Sequence, residues 1–214
     1  MAKFILFDLD GTLTDSKEGI VNCVSYALKH FNIEHSLDEL EIFVGPPLKE
    51  QFMSFANLSE KDAEEAVRVY RERFAPIGIF ENKVYDGVID MLSRLKDDGK
   101  TLAIATSKPY IFAQRIADKY GITPFITLIE GSELDGRNTD KADVIKNAMK
   151  ALGATSENTV MVGDRMHDCI GAKKNNIEFI GVSYGYAGEN ELEESGASVI
   201  ADTPQRLYDI LSTM

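Results

Sequence analysis

The apolar run 3–8 ends in a pair of carboxylates, Asp8 and Asp10, and Gly11 follows at once. A glycine there lets the backbone turn sharply. Two carboxylates so close repel each other, and sharing a hard cation such as Mg²⁺ relieves them. A second acidic pair repeats the arrangement. The apolar run 159–163 leads into Asp164, and Asp168 comes four residues later, near it if a helix starts there. Taken singly, an Asp-Gly turn, an N-cap aspartate or a solvated aspartate explains each pair. Two such pairs at the ends of two apolar strands point instead to one cation site made of oxygen ligands.

Two further stretches have types suited to an anion. Thr106-Ser107-Lys108-Pro109 follows another apolar run, 102–106. Pro109 suits the first position of a helix and Ser107 a cap, and the free N–H groups at a helix start form a phosphate site. An ordinary capped helix start is the plain alternative. Lys141 falls in the first turn of a helix capped by Thr139 or Asp140, where a cation opposes the helix dipole. A surface lysine tolerated there is the plain reading, and a functional one is the other.

These residues need a scaffold that collects strand ends. Apolar runs at 3–8, 102–106, 125–129, 159–163, 178–182 and 198–201 read as strands. Helical patterns lie between them. Val88, Met91, Leu92 and Leu95 share a face before Gly99, and Val144, Ile145, Ala148, Met149 and Leu152 share one before Gly153. Both glycines suit the left-handed position past a helix end. Alternating strands and helices with continuous apolar strands predict a parallel sheet covered on both faces, whose ligands bind outside the carboxyl ends of the strands. From about Thr14 to Lys83 only helical patterns occur. Ile20, Val24, Ala27, Leu28 and Phe31 form one face, and Ala63, Ala66, Val67, Tyr70 and Phe74 another, with Ser59 and Asp62 placed like a capping box. This predicts an all-helical insert after the first strand.

Composition narrows the function. The chain has 214 residues, 44% hydrophobic, and a net charge of −12. It can bury a sizeable core, and its acidity argues against a nucleic-acid polymer as partner. An anionic substrate would then need local positive charge or a metal. No run reaches the roughly 18 apolar residues of a membrane span. Cys23 and Cys169 lie far apart with no CxxC, which excludes a disulfide framework or a zinc site. The expectation is a cytoplasmic protein with reduced thiols, monomer or homodimer, with no membrane partner.

The whole set, DxDGT at Asp8–Thr12, Thr106 ending a strand, the isolated Lys141 and GDxxxD at 163–168, resembles the haloacid dehalogenase superfamily, in the expected order along essentially the whole chain. Within it the chain is similar to the phosphoglycolate phosphatase-like and β-phosphoglucomutase-like branch. The resemblance implies a Rossmann-like, doubly wound parallel α/β core over 1–14 and 84–214, with a helical cap over 15–83. It implies Asp8 as a nucleophile forming an aspartyl-phosphate and Asp10 as general acid/base. The Asp8 carboxylate, the Asp10 main-chain carbonyl and Asp164 are the implied Mg²⁺ ligands, with Asp168 acting through water or orienting the shell. Leu9, Thr106, Ser107 and Lys141 are the implied phosphate contacts, and Lys108 fits the lysine position less well. Dehalogenases of the superfamily typically lack a carboxylate at the Asp10 position, so phosphoryl transfer is favoured.

The implied activity is hydrolysis of small phosphorylated metabolites, with phosphoglycolate and nucleoside monophosphates as candidates. The alternatives are a 5′-nucleotidase, a phosphosugar mutase of the same branch, or a non-catalytic phosphate-binding protein. The last has no need to keep Asp8, Asp10, Lys141 and Asp164 together. The mutases typically carry a His about ten residues past the acid/base Asp, where this chain has Ile20. Residues 45–50, Gly-Pro-Pro-Leu-Lys-Glu, form the expected specificity loop, with Gly45 at a tight turn and Lys49 near the substrate's non-reacting end. A plain inter-helix turn with a solvated lysine is the alternative. His167, inside the GDxxxD stretch where the family varies, is not expected to touch ligand. Cys169 is read as packing, the Gly-rich 184–188 as a loop beside the site, and Arg68, Arg71 and Arg73 as a solvated helix face.

Overall fold

The computed structural model describes residues 2–214. They divide into two compact units, 2–14 with 84–214, and 15–83. Along the chain come β1 (Phe4–Phe7), β2 (Thr14–Asp15), α1 (Lys17–His30), α2 (Leu48–Ala56), α3 (Glu60–Phe74) and β3 (Lys83–Val84). They are followed by α4 (Val88–Asp97), β4 (Thr101–Pro109), α5 (Tyr110–Lys119), β5 (Leu128–Ser132), α6 (Lys141–Leu152) and β6 (Thr159–Gly163). The chain ends with α7 (Met166–Lys174), β7 (Glu178–Val182), α8 (Glu191–Ser195), β8 (Ile200–Ala201) and α9 (Pro204–Thr213).

The larger unit is a six-stranded sheet in the order β5-β4-β1-β6-β7-β8, parallel throughout. β1 lies in the middle with Phe4 opposite Thr101 on one side and Thr159 on the other. After β1 the chain builds outward through β4 and β5, then returns to β6 on the other side. Strand order therefore reverses at β1, where open parallel sheets bind ligands. Ile5, Leu6 and Phe7 are fully buried, as expected for a strand covered on both faces. On one face Leu6, Ala103, Ala105 and Met161 pack with Val144, Ile145 and Ala148 of α6 and Ala172 of α7. Each large apolar side chain buried there contributes about 1.5–3 kcal/mol. Gly99 (φ +79°) and Gly153 (φ +63°) take the left-handed conformation past α4 and α6.

The smaller unit is helical. α1 packs on α3, with Val24, Ala27 and Leu28 of one and Ala63, Ala66 and Phe74 of the other buried. Ser59 caps α3 by accepting the Asp62 N–H at 3.2 Å. Two details differ from the helix-only expectation for 14–83. Short strands β2 and β3 pair where the chain enters and leaves the unit. Arg73 is only partly solvated, because its guanidinium forks onto Glu81 at 2.6 and 2.7 Å and also reaches Cys23 Sγ.

The strand expected at 125–129 lies three residues later. Pro124 sits in a 3₁₀ turn over Thr123–Phe125, so pairing with β4 begins at Leu128. Among the described residues no helix is long and apolar enough to cross a membrane.

Candidate active site

β1, β4 and β6 end at the same edge of the sheet, and the chemistry-bearing residues follow directly. The Asp8 N–H donates to the Val162 carbonyl at 2.9 Å, which extends the β1–β6 ladder by one step. The chain then winds into a tight turn. The Leu13 and Thr14 N–H groups donate to the Leu9 carbonyl, and Gly11 N–H donates to the Thr14 carbonyl. Gly11 has φ +81°, and a Cβ there would stand 2.1 Å from Asp164 Oδ2. Glycine is required on both counts. Gly163 does the same for the other carboxylate, since a Cβ on it would meet Asp168 Cγ at 2.3 Å.

Asp8, Asp164 and Asp168 converge, each offering an oxygen within 4.8 Å of the others. All three residues are buried. Lys141, first residue of α6, reaches them from the far side. Its Nζ donates to Asp8 Oδ1 at 2.6 Å and to the Ala105 carbonyl at 3.1 Å, and lies 2.8 Å from Asp168 Oδ1. Asp140 caps α6 by accepting the Ala142 N–H at 2.7 Å, which fixes the turn that carries Lys141.

One ammonium, in contact with Asp8 and Asp168, serves a cluster of three carboxylates, and the electrostatics show the excess. Burial pushes the Asp164 carboxyl well above the ordinary range, and the charges of Asp168 and Asp8 add to it, against hydrogen bonds from the Tyr186 N–H and the Thr12 hydroxyl. Burial raises Asp168 to about 6, with Lys141 pulling it down and Asp8 pushing it up. Burial works against the charge on Lys141, yet Asp168 and Asp8 outweigh it and hold its pKa above the usual lysine value. Hard oxygen donors with surplus negative charge suit a divalent cation such as Mg²⁺.

Supporting contacts come from residues outside the expected set. Asp164 accepts from Thr12 Oγ1 at 3.2 Å and from the Tyr186 N–H at 2.8 Å. Tyr184 donates its hydroxyl to the Thr12 carbonyl at 3.1 Å. Glu191 accepts the Met166 N–H at 2.8 Å and the Arg165 guanidinium at 2.8 Å, tying down the segment before α7. Thr12 sits inside the DxDGT stretch and could have been found there. Tyr184 and Tyr186 belong to the Gly-rich stretch 184–188, expected as a loop beside the site, and Glu191 carries no local pattern.

Thr106 is buried, but it lies inside β4, three residues before its end, rather than ending the strand as expected. Ser107 is not the cap expected of it. β4 continues through Pro109, which pairs with Ser132 and precedes rather than opens α5. The Ser107 hydroxyl donates instead to the Thr139 carbonyl at 3.0 Å. Lys108 Nζ lies 2.7 Å from Asp10 Oδ2. The Leu9 side chain is fully buried. His167 is exposed and Cys169 buried, its Sγ against the Ser195 carbonyl. In the helical unit Ile20 is buried, Gly45 has φ +107°, and Lys49 Nζ donates to Glu60 and Glu64, both at 2.8 Å.

A family model described as haloacid dehalogenase-like hydrolase matches residues 5–182, spanning all of these motifs. The chain belongs to the haloacid dehalogenase-like hydrolases. It is 47% identical over 189 residues to a 5′-nucleotidase of Pseudomonas aeruginosa, covering 88% of this chain and 86% of that one. It is 37% identical over 199 residues to the tyrosine-protein kinase PtkA of Mycobacterium tuberculosis, covering 92% and 68%. The crystal structure of a predicted phosphatase from Clostridium acetobutylicum superposes with a TM-score of 0.95 at 45% identity, each chain covered in full. Within the haloacid dehalogenase-like family the chain is a phosphoric monoester hydrolase.

Proposed function

We propose that this haloacid dehalogenase-like hydrolase is a Mg²⁺-dependent phosphatase of small phosphomonoesters that works through an aspartyl-phosphate on Asp8. The observation that carries the reading is the convergence of Asp8, Asp164 and Asp168 at the carboxyl edge of β1 and β6, with Lys141 bound to Asp8 and Asp168. Asp8 attacks phosphorus through one carboxylate oxygen, and the bond to the leaving oxygen breaks. Asp10 gives that oxygen its proton, so an alcohol departs. Asp10 then takes a proton from water, whose oxygen forms the new bond to phosphorus as the Asp8–phosphorus bond breaks. Lys141, the Thr106 hydroxyl and the N–H groups of Leu9 and Ser107 hold the phosphoryl oxygens. The Asp8 carboxylate, the Asp10 main-chain carbonyl and Asp164 would hold the cation, with Asp168 through water. When bound, it offsets repulsion between the Asp8 anion and the phosphate dianion.

Phosphoglycolate and nucleoside monophosphates are the two substrate candidates. The 5′-nucleotidase among the relatives supports placing nucleoside monophosphates first. Buried Ile20 supports hydrolysis over mutase transfer, since it offers no hydrogen bond to hold a sugar intermediate. Residues 15–83 act as the cap in this proposal, with Gly45 and Lys49 setting substrate choice. The protein works in the cytoplasm as a monomer or homodimer, a setting consistent with its two buried thiols, Cys23 and Cys169. The test is a panel of phosphomonoesters run to kcat/KM with Mg²⁺ and with excess chelator. Phosphate release in Mg²⁺ and none in chelator is expected. Full activity in chelator, or conversion of β-glucose 1-phosphate to glucose 6-phosphate faster than phosphate release from either, would overturn it.

A further inference from the structure

Lys108 lies among the last residues of β4, and its ammonium stands 2.7 Å from Asp10 Oδ2. The lysine side chain is only 7% exposed, a depth at which lysine occurs almost only when paired. Its place is set by backbone. β4 and β5 pair in register as far as Ala105 opposite Glu130, and again at Pro109 opposite Ser132. β4 therefore carries two extra residues in this interval, a distortion that re-aims side chains beside active sites. Gly131 admits the distorted segment, because a Cβ there would stand 2.7 Å from the Lys108 carbonyl oxygen and 2.9 Å from Tyr110 Cα. Ser132 Oγ donates to the Ser107 carbonyl at 2.8 Å, and the Lys108 N–H donates to Thr106 Oγ1 at 3.2 Å.

The other oxygen of the same carboxylate behaves differently. Asp10 Oδ1 is buried and has no hydrogen-bond partner among the described residues. A buried carboxylate oxygen without a partner is costly, and in a working site a bound group supplies the partner.

We infer that Lys108 is a positioning residue for Asp10: its grip on Oδ2 fixes the carboxyl so that Oδ1 faces the leaving oxygen of the bound ester. The inference rests on Asp10 as the acid/base. It makes Lys108 matter most for esters of alcohols, whose basic leaving oxygens need a proton, and least for esters of acidic phenols.

The experiment is a leaving-group series. kcat/KM, which reports the step that expels the leaving group, is measured in Mg²⁺ for alkyl and aryl phosphates with wild type, Asp10→Asn, Lys108→Met, Lys108→Gln and the double variant Asp10→Asn/Lys108→Met. Lys108→Met should lose about 10²-fold on alkyl esters, the scale of a misplaced acid, and less than about threefold on the most acidic phenol ester. Lys108→Gln, which keeps a hydrogen-bond donor, should fall between Lys108→Met and wild type on the alkyl esters. The double variant should be no worse than Asp10→Asn, because the two residues act as one unit. Activity on the aryl ester also shows that each variant is folded.

An equal loss on every ester, or no loss on any, would overturn the role of Lys108 while Asp10→Asn still steepens the dependence. If Asp10→Asn leaves the leaving-group dependence as shallow as in wild type, the acid/base reading falls and this inference falls with it.

Discussion

Lys141 Nζ lies 2.6 Å from Asp8 Oδ1, although 133 residues separate the two. The contact joins the end of β1 to the first turn of α6, and Asp168 at 2.8 Å closes the group from α7. A lysine at the start of a helix opposes the helix dipole. Here two buried carboxylates outweigh that effect and hold the amine charged.

Lys141→Met should therefore damage both chemistry and stability. It removes the cation beside Asp8 and leaves buried carboxylates uncompensated. A loss of about 10²–10³ in kcat/KM is expected, with a destabilisation of about 3 kcal/mol in metal-free protein. Steady-state kinetics and denaturant unfolding in chelator check the two effects separately.

The surplus of carboxylate charge gives a pH-dependent stability. Asp164 and Asp168 are both raised in the folded protein, Asp168 to about 6. A raised carboxyl binds its proton more tightly folded than unfolded. Its contribution is fully present below the unfolded value near 3.8 and is lost as pH rises through the folded value. Asp164→Asn should then raise the melting temperature of metal-free protein by several degrees at about pH 8, and by much less at about pH 5. Mg²⁺ should stabilise wild type at about pH 8 and the variant little. Thermal unfolding at the two pH values, with chelator and with Mg²⁺, reads all four conditions.

Gly11 and Gly99 both have positive φ but differ in surroundings. A Cβ on Gly11 would collide with the Asp164 carboxylate, and one on Gly99 would meet nothing within 4 Å. Gly99→Ala should cost about 1 kcal/mol of backbone strain and leave kcat/KM unchanged. Gly11→Ala should cost more and should also weaken Mg²⁺ activation by at least about tenfold, because Asp164 must move. Unfolding curves and a Mg²⁺ titration of activity check the pair.

Much of this site was readable before any fold was known, because strand-end aspartates followed by glycine keep their meaning at short range. Asp8, Asp10, Asp164 and Asp168 each sit within a few residues of the strand that delivers them. The parallel α/β architecture was equally readable, since β6 and β7 are short apolar runs bounded by polar turns. The strand near 128 was misplaced because Phe125 and Ile126 are apolar but follow Pro124 in a 3₁₀ turn. Ser107 does not show its place from sequence, because the β4 ladder continues to Pro109 and nothing local reports that pairing. Contacts made only by the folded chain were out of reach. Lys108 with Asp10, Glu191 with Met166 and Arg73 with Glu81 join residues with no shared motif.

In the helical unit, Lys49 shares its ammonium between Glu60 and Glu64. If the loop beginning at Gly45 reads substrate, Lys49→Ala should reduce kcat/KM selectively, most for esters with anionic or bulky leaving groups, by about tenfold. An equal change for every ester would mean that residues 45–50 only connect helices. The same phosphomonoester panel, run on wild type and variant side by side, decides it.

In the proposed mechanism the phosphoryl group reaches water in two displacements, the first onto Asp8. The stereochemical course at phosphorus distinguishes this from a single displacement by water. A phosphomonoester made chiral with oxygen isotopes and sulfur is hydrolysed in isotopically labelled water, and the configuration of the released thiophosphate is determined. Two in-line displacements predict retention. Inversion would show a single direct attack by water and would contradict the aspartyl-phosphate.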